Sequence, residues 1–395
     1  MKLHRMPFVV QKMLIDEMLL DDRMFLSFTS KRTCRLLGMS KLYAGRALSI
    51  KATLNTDLNS DGVEVRIENE DKWTFFIPYD KSDLENVVCW KIDGSDVRVS
   101  HEVKEIGTEI KKHTVSIVEG AGLKQTRKLL EPLGKLLRHL TSFLNFDSLH
   151  CICHTLPNGL ISQLECSLNY TKIWIRREFW TLHGWDSEDR AAVVTPKELE
   201  VLLSKIKSRE LKLNVKVASA VYKYRKHPES IGGGKIQKLI LQSHTWVDFS
   251  DLPAARAISF PLKVQSREIN TLLKSWVAGK NREMEILDFE IGEFTDRTRN
   301  FFFTGITQHE TQLTVSDRER FLTYAFSFDL LSDVIAVDII REGDGMRATV
   351  IEAMLWPPLE NNWNRVPYSK RTMFVIVWSE KNLKKARGEY VDNWF

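Results

Sequence analysis

Along residues 6–42, MPFVVQKMLIDEMLLDDRMFLSFTSKRTCRLLGMSKL, apolar side chains recur at helical spacing in three short runs. Val10, Met13, Leu14 and Met18 make one stripe of a first helix, with Pro7 suited to its first turn because the fixed φ of proline fits there. Asp21 or Asp22 can cap a second helix, whose candidates for burial are Met24, Phe25 and Phe28. Thr29 and Ser30 offer a cap for a third, in which Cys34 and Leu37 lie one turn apart. Helices this short do not hide so much apolar surface among themselves, so the rest of the chain or a partner must cover it.

From Arg46 to about Val118 the period drops to two. Leu48-Ser49-Ile50-Lys51-Ala52, Val63-Glu64-Val65-Arg66-Ile67 and Val97-Arg98-Val99 alternate as strands do. Asn59-Ser60-Asp61-Gly62 and Asp93-Gly94-Ser95-Asp96 fit tight antiparallel hairpins, giving a sheet with one wet and one dry face. A basic helix follows from Leu123 to Leu144, with Leu129, Leu133, Leu136, Leu137, Leu140 and Leu144 inward and Pro132 moving its start inward.

Beyond it, helix and strand patterns alternate. Thr195-Pro196-Lys197-Glu198 reads as a capping box opening a helix to about Lys207, followed by an alternating strand over 211–217. A second helix runs from Ser266 through Trp276 and closes at Gly279, before a strand over 284–291. Strand candidates at 238–241 and 257–260 lie between. Such units, leucine inward, predict a short irregular leucine-rich-repeat-like stack with a curved sheet suited to gripping another protein. A Gly-Asp-Gly turn at 343–345 and the apolar strand Phe374-Val375-Ile376-Val377-Trp378 predict antiparallel strands at the carboxyl end. The expected fold class is α+β.

Several of these stretches resemble one family. Met6-Pro7-Phe8-Val9-Val10, then Leu26, Ser27, Ser30, Lys31 and Arg32, resemble the Leu-Pro opening and the Leu-Ser-x-x-Ser-Lys-Arg centre of an F-box. Met6 replaces the usual Leu, and Leu19-Leu20 replaces a common Asp-Pro helix start. Asn270, Leu272, Leu273, Lys274, Trp276 and Gly279, then Met284, Glu285 and Leu287, are similar to the centre of the F-box-associated type 2 domain of nematode F-box proteins. Asp344-Gly345-Met346-Arg347-Ala348-Thr349-Val350 and the closing Val377-Trp378 resemble its hairpin and last strand. The resemblance divides the chain into an F-box (1–44), a β-rich scaffold (45–120), a helix–strand region (121–245) and the associated domain (246–395). It implies a substrate-recognition subunit of an SCF-type ubiquitin ligase. The F-box would dock on the SCF adaptor, and through it on the cullin and RING subunits, while the carboxyl-terminal region holds a protein target. Motif position and periodicity together nominate Pro7, Phe8, Val10, Leu14, Leu26, Ser27 and Leu36 for adaptor contact. The alternative is an interaction scaffold whose degenerate F-box joins no ligase.

Composition changes this picture little. An apolar share of 43% and a charged share of 28% are ordinary for a globular chain. A net charge of +5 over 395 residues argues against nucleic acid, although 123–138 and Tyr222-Lys223-Tyr224-Arg225-Lys226 are locally basic. The most apolar stretch, 324–340, is broken by Asp329, Asp333 and Asp338, so no membrane span is expected. Five scattered cysteines predict a reducing compartment, cytoplasm or nucleus.

Catalytic and metal chemistry find little support. His150-Cys151-Ile152-Cys153-His154 puts its cysteines and histidines on opposite faces of a strand, which does not converge four ligands. Ser230-Ile231-Gly232-Gly233-Gly234-Lys235 lacks the first glycine of a phosphate loop and has Ile236 where Ser or Thr belongs. Asp288 and Glu290 read as the solvated face of a strand. The expectation is a non-catalytic protein with no cofactor and no metal. Trp363 and Trp394 are loose candidates for target anchors.

Overall fold

The computed structural model describes residues 5–41, 51–55, 62–68, 72–78, 86–106, 110–117, 126–144, 148–152, 156, 159–161, 172–176, 191–206, 208–226, 236–291, 300–326, 330–355 and 370–389. The expectations at Leu48–Ile50, Asn59–Asp61, Cys153, His154, Ser230–Lys235, Trp363 and Trp394 lie outside these residues. The chain forms two compact units: Met1–Ser208 with Asn214–Ser219, and Arg209–Leu213 with Ala220–Phe395. The fold is α+β in both.

The first unit opens with α1 (Phe8–Asp16), α2 (Leu20–Ser27) and α3 (Lys31–Lys41). Strands β1 (Lys51–Asn55), β2 (Gly62–Glu68), β3 (Lys72–Pro78), β4 (Val87–Ile92), β5 (Ser95–Ile106) and β6 (Ile110–Ile117) follow, then α4 (Thr126–Phe143). The unit continues with β7 (Ser148–Ile152), β8 (Lys172–Arg176), β9 (Ala192–Val194) and α5 (Pro196–Ser204). Its strands run in the order β8-β7-β1-β2-β3-β6-β5-β4. The sheet is mixed rather than a plain meander: β3 pairs parallel with β6, and β1, β7 and β8 pair parallel in turn. The β4–β5 hairpin closes at Asp93 and Gly94, both at positive φ (48° and 79°), as a two-residue turn matched to strand twist requires. Val65, Ile67, Trp73, Phe75, Val97, Val99 and Val115 make the dry face.

Two sequence expectations fail here. Pro132 does not shift the start of α4, which runs helical from Thr126 past the ring because its face continues through Leu133, Leu136, Leu137 and Leu140, all buried. At the head of α5, Thr195 Oγ1 accepts the Glu198 N–H (3.3 Å), but the Glu198 carboxylate accepts the Gly159 N–H (2.6 Å) instead of closing the box.

The expected strand over 211–217 is two strands. β10 (Ser208–Leu213) passes into the second unit, and β11 (Val215–Val217) pairs parallel with β9 in the first. Asn214 forces the break: its N–H donates to Ile175 O (2.9 Å) and its carbonyl accepts from Ala192 N–H (2.8 Å).

The second unit adds β12 (Ile236–Leu241), β13 (Ala255–Lys263), α6 (Ser266–Val277), β14 (Ile286–Glu290) and β15 (His309–Glu310). It ends with α7 (Val315–Phe326), β16 (Leu330–Ile340), β17 (Arg347–Leu355), β18 (Lys370–Val377) and α8 (Glu380–Ala386). β12, β13 and β14 are parallel, with α6 as the crossover between the last two. β18 inserts antiparallel beside β14 and carries β17, β16 and β15 outward in antiparallel order. Gln265 and Glu268 form a capping box for α6, and Gly279 closes it at φ 82°. One sheet face, with Ile286, Ile376, Phe374 and Ile351, packs against Phe321 and Leu322 of α7 and Ala386 of α8. The opposite face, Ile258, Phe260, Leu287, Phe289 and Val375, is buried as well, as a parallel core requires.

Candidate functional site

The amino-terminal helices divide into a welded part and an open part. In α1, Pro7 sits just before the helix at the cap position, and Ile15 is the one fully buried side chain. Of the stripe Val10, Met13, Leu14 and Met18, Met13 (64% exposed) and Val10 face outward while Leu14 and Met18 are half-buried, and Phe8 (47%) and Val9 (67%) beside it are exposed too. Leu19, between α1 and α2, is exposed too. Periodicity marks an apolar face but not what that face meets. Fully burying one such side chain is worth on the order of 1.5–3 kcal/mol. These residues therefore leave several kcal/mol of burial unrealised.

Arg23 ties the helices at their turn, donating to Met18 O (3.2 Å) and Asp16 O (3.3 Å), and burial lowers its pKa against the pull of Asp16. Neither Asp21 nor Asp22 caps α2, where Leu19 holds the cap position without a side-chain bond. Asp21 instead accepts from Trp73 Nε1 (2.6 Å) on β3 and pairs with His113 Nε2 (2.9 Å) on β6. Phe25, expected to be buried, stays 39% exposed with its ring edge-on to Trp73 and His101. Met24 and Phe28 are buried as expected, and Phe28 stacks on Trp90 at 4.5 Å.

α3 starts where the sequence places it, with Ser30 Oγ accepting the Thr33 N–H (3.1 Å). It crosses α4 so closely that a Cβ on Gly38 would lie 2.5 Å from the Ser142 carbonyl oxygen. Around this crossing Cys34, His139, Ser27 and Ser142 gather, a set that in another arrangement would serve nucleophilic catalysis. The hydrogen bonds fix the protons otherwise. Asp93 N–H donates to His139 Nδ1 (3.1 Å), so the imidazole proton is on Nε2 and goes to Ser27 Oγ (3.1 Å), which in turn donates to Met24 O (2.7 Å). Ser142 Oγ donates to His139 O (2.6 Å) and so accepts the Cys34 thiol proton (3.1 Å). Burial raises the Cys34 thiol pKa and drives His139 down to about 4. The thiol is held protonated and the imidazole Nδ1 is occupied, so the cluster is a structural weld among α2, α3, α4 and the β4–β5 turn.

The seven nominated residues separate along this line. Pro7, Phe8 and Val10 are exposed, Leu14 and Leu26 half-buried. Ser27 and Leu36 are buried, Ser27 in the His139 weld, and neither presents a surface. Sequence reasoning read Asp21 only as a possible cap and passed over Gly38, His101, His113, His139 and Ser142. They come from four or more elements, and no spacing in the chain marks them as neighbours.

The carboxyl-terminal motif residues have structural roles. Trp378 Nε1 donates to Thr349 Oγ1 (2.7 Å), and Thr349 donates to the buried Asp338 (2.5 Å), which also takes Arg347 (3.1 Å). Asp344 holds Arg341 through both oxygens and accepts the Met346 N–H; the Arg341 bond first, then that N–H, lower its pKa to about 2. The Arg341 guanidinium lies over the Trp276 ring, 5.2 Å from its centroid. Asn270 donates to Phe302 O and Thr304 O, pinning the turn that follows β14.

Other sequence candidates resolve as follows. Asp288 is half-buried rather than fully solvated: Ser259 Oγ donates to it (2.7 Å), and desolvation raises its pKa to about 6 against that bond and Lys238. Cys151 is buried in β7, with its thiol pushed up to about 12 by desolvation. Among the described residues no group of three or more His, Cys, Asp or Glu is arranged to hold a metal ion. The basic run near Tyr224 is engaged: Lys223 donates to Thr245 O, Lys226 pairs with Glu283 (3.0 Å), and Tyr224 is buried. Among the described residues no helix is long and apolar enough to cross a membrane. No family model, curated protein or solved structure matches the chain.

Proposed function

We propose that this chain is the substrate-recognition subunit of an SCF-type E3 ubiquitin ligase, non-catalytic itself. Its amino-terminal helices dock on the SCF adaptor and so on the cullin and RING subunits, and its carboxyl-terminal unit holds a protein target. The observation that carries this reading is the row Phe8, Val9, Val10 and Met13, left exposed on a helix whose neighbour α2 is bonded to the sheet and to α4, and whose neighbour α3 is bonded to α4. An F-box-like sequence with an open apolar face on a fixed support is what a docking plug needs. Catalysis then comes from proximity, because a tethered lysine meets the charged conjugating enzyme at high effective concentration. A cytoplasmic or nuclear location goes with this role.

The test is co-purification of the full chain with the adaptor. Phe8→Asp with Met13→Asp changes only exposed positions, so the fold should persist while binding weakens on the order of 100-fold. Wild-type chain that fails to bind, or a double variant that binds as well, overturns the reading. The scaffold alternative draws on Leu19, which leaves the start of α2 without a side-chain cap. It predicts target binding but no target ubiquitination in a reconstituted reaction.

A further inference from the structure

Beneath α2 the rings of Trp73, His113 and His101 are nearly parallel and stacked: Trp73 and His113 are 2° apart at 4.2 Å, His113 and His101 5° apart at 5.4 Å. A hydrogen-bond chain runs through them. Asp21 Oδ2 is 2.9 Å from His113 Nε2, and His113 Nδ1 is 3.2 Å from His101 Nε2. Asp21 accepts from Trp73 Nε1 as well, so the carboxylate is the terminal acceptor and every proton points toward it. His113 Nε2–H donates to Asp21, and His101 Nε2–H donates to His113 Nδ1. His113 is buried; His101 is half-exposed at the outer end.

We propose that this Asp21–His113–His101 chain is a pH-sensitive latch that holds α2 on the sheet at neutral pH and loosens as the medium becomes mildly acidic. In the closed latch a proton taken up by His101 sits among Phe25, Trp73 and Trp90, against a second imidazole. Lifting α2 wets both rings and removes the restriction, so acid favours the open form. Burial first, then His113, depresses the His101 pKa, with Asp21 opposing. Stability from this group is therefore complete above about pH 6.5 and falls as pH drops below it.

The other charged groups do not offset this. On the same face of β3 to β6 the described charged side chains are Glu105 and Lys111, exposed register partners at the strand ends. Lys91, Asp96, Arg98, Glu102, Lys104 and Lys112 alternate to the opposite face. On α2, Asp22 is exposed and Arg23 is committed to Asp16 O and Met18 O. From α4, His139 packs on the ring of Phe28.

The experiment is hydrogen exchange of the α2 amides, Leu20–Ser27, in the full chain at pH 7.5 and 5.5, corrected for intrinsic exchange. Wild-type protection should fall several-fold. His101→Gln keeps a side-chain N–H for His113 but takes up no proton, so its protection should fall less than that of wild type, with His139 against Ser27 and Phe28 supplying the remainder. No loss in wild type, or an equal loss in His101→Gln, overturns the proposal. The His101 imidazole followed by NMR gives a second readout: Asp21→Asn, which keeps an acceptor but removes the opposing charge, should lower its titration midpoint further, and an unchanged or raised midpoint overturns the relay. Neither readout involves the adaptor, so the latch and the proposed function stand or fall separately.

Discussion

The two units bury their polar groups in opposite ways. The first tucks histidines between aromatic rings, His139 against Phe28 and Phe143 and His113 against Trp73, and burial keeps His139 neutral. The second sets acids on paired strands, with buried Asp338 beside the half-exposed Arg347, buried Glu352 near the exposed Arg371 and half-buried Asp288 under Ser259. A buried neutral base resists taking up a proton, whereas a buried acid resists giving one up. His139 and Asp288 therefore read acidity with opposite sign, although both units are built on sheets.

The largest expected effect tests that contrast. His139 is depressed from 6.5 to about 4, so its stabilising contribution is complete above 6.5 and is lost as pH falls toward 4. That loss is on the order of 3 kcal/mol, from about 1.4 kcal/mol per unit. Asp288 is raised from 3.8 to about 6, so its unit is most stable below 3.8 and loses that advantage as pH rises through 6. Acidification from 7 to 4.5 should thus loosen the first unit and tighten the second, by up to about 2–3 kcal/mol each. Asp344, held low by Arg341, enters only below 3.8. Hydrogen exchange in α4 and in β14, followed across this range, reads the two units separately. His139→Gln should flatten the first response and Asp288→Asn the second. Responses of the same sign in both units would break the comparison.

The same contrast explains what was legible in the sequence. Local signals were read well where the cause was local. Ser30 caps α3, Asp93 and Gly94 make the hairpin turn, Gly279 ends α6, and the Gly343–Gly345 turn joins β16 to β17. Long-range choices were not. Val10 and Met13 have the spacing of a core stripe yet face solvent, because α1 has only one buried position. Asp21 looked like a cap and is drawn instead to a tryptophan and a histidine 52 and 92 residues away. Asn214 splits an alternating strand because other strands use its backbone. Asp288 looked solvated because alternation says which face a side chain takes, not whether that face is wet. The proposed docking residues were legible as composition and motif, but their division into exposed Phe8 and buried Leu36 required the packing of α3 on α4.

A smaller effect sharpens the comparison through one glycine from each unit. Gly38 lies at the α3–α4 crossing, where an added methyl would meet the Ser142 backbone oxygen at 2.5 Å, and backbone does not yield as a flexible side chain would. Gly38→Ala must push the helices apart and should cost about 1–3 kcal/mol. Because Ser27 and His139 bridge the same helices, their bond should weaken with it, raising the His139 titration midpoint from about 4. Gly343 has nothing within 4 Å of an added methyl, but its φ of +88° is one that side chains rarely adopt. Gly343→Ala should cost about 1 kcal/mol through backbone strain alone and leave the Asp288 midpoint unmoved. Thermal melts rank the two costs, and the histidine titration distinguishes crowding from strain. If Gly38→Ala leaves both the melt and the His139 midpoint unchanged, the crossing is looser than a buried weld allows, and α1 and α2 lose the fixed support on which their open face depends.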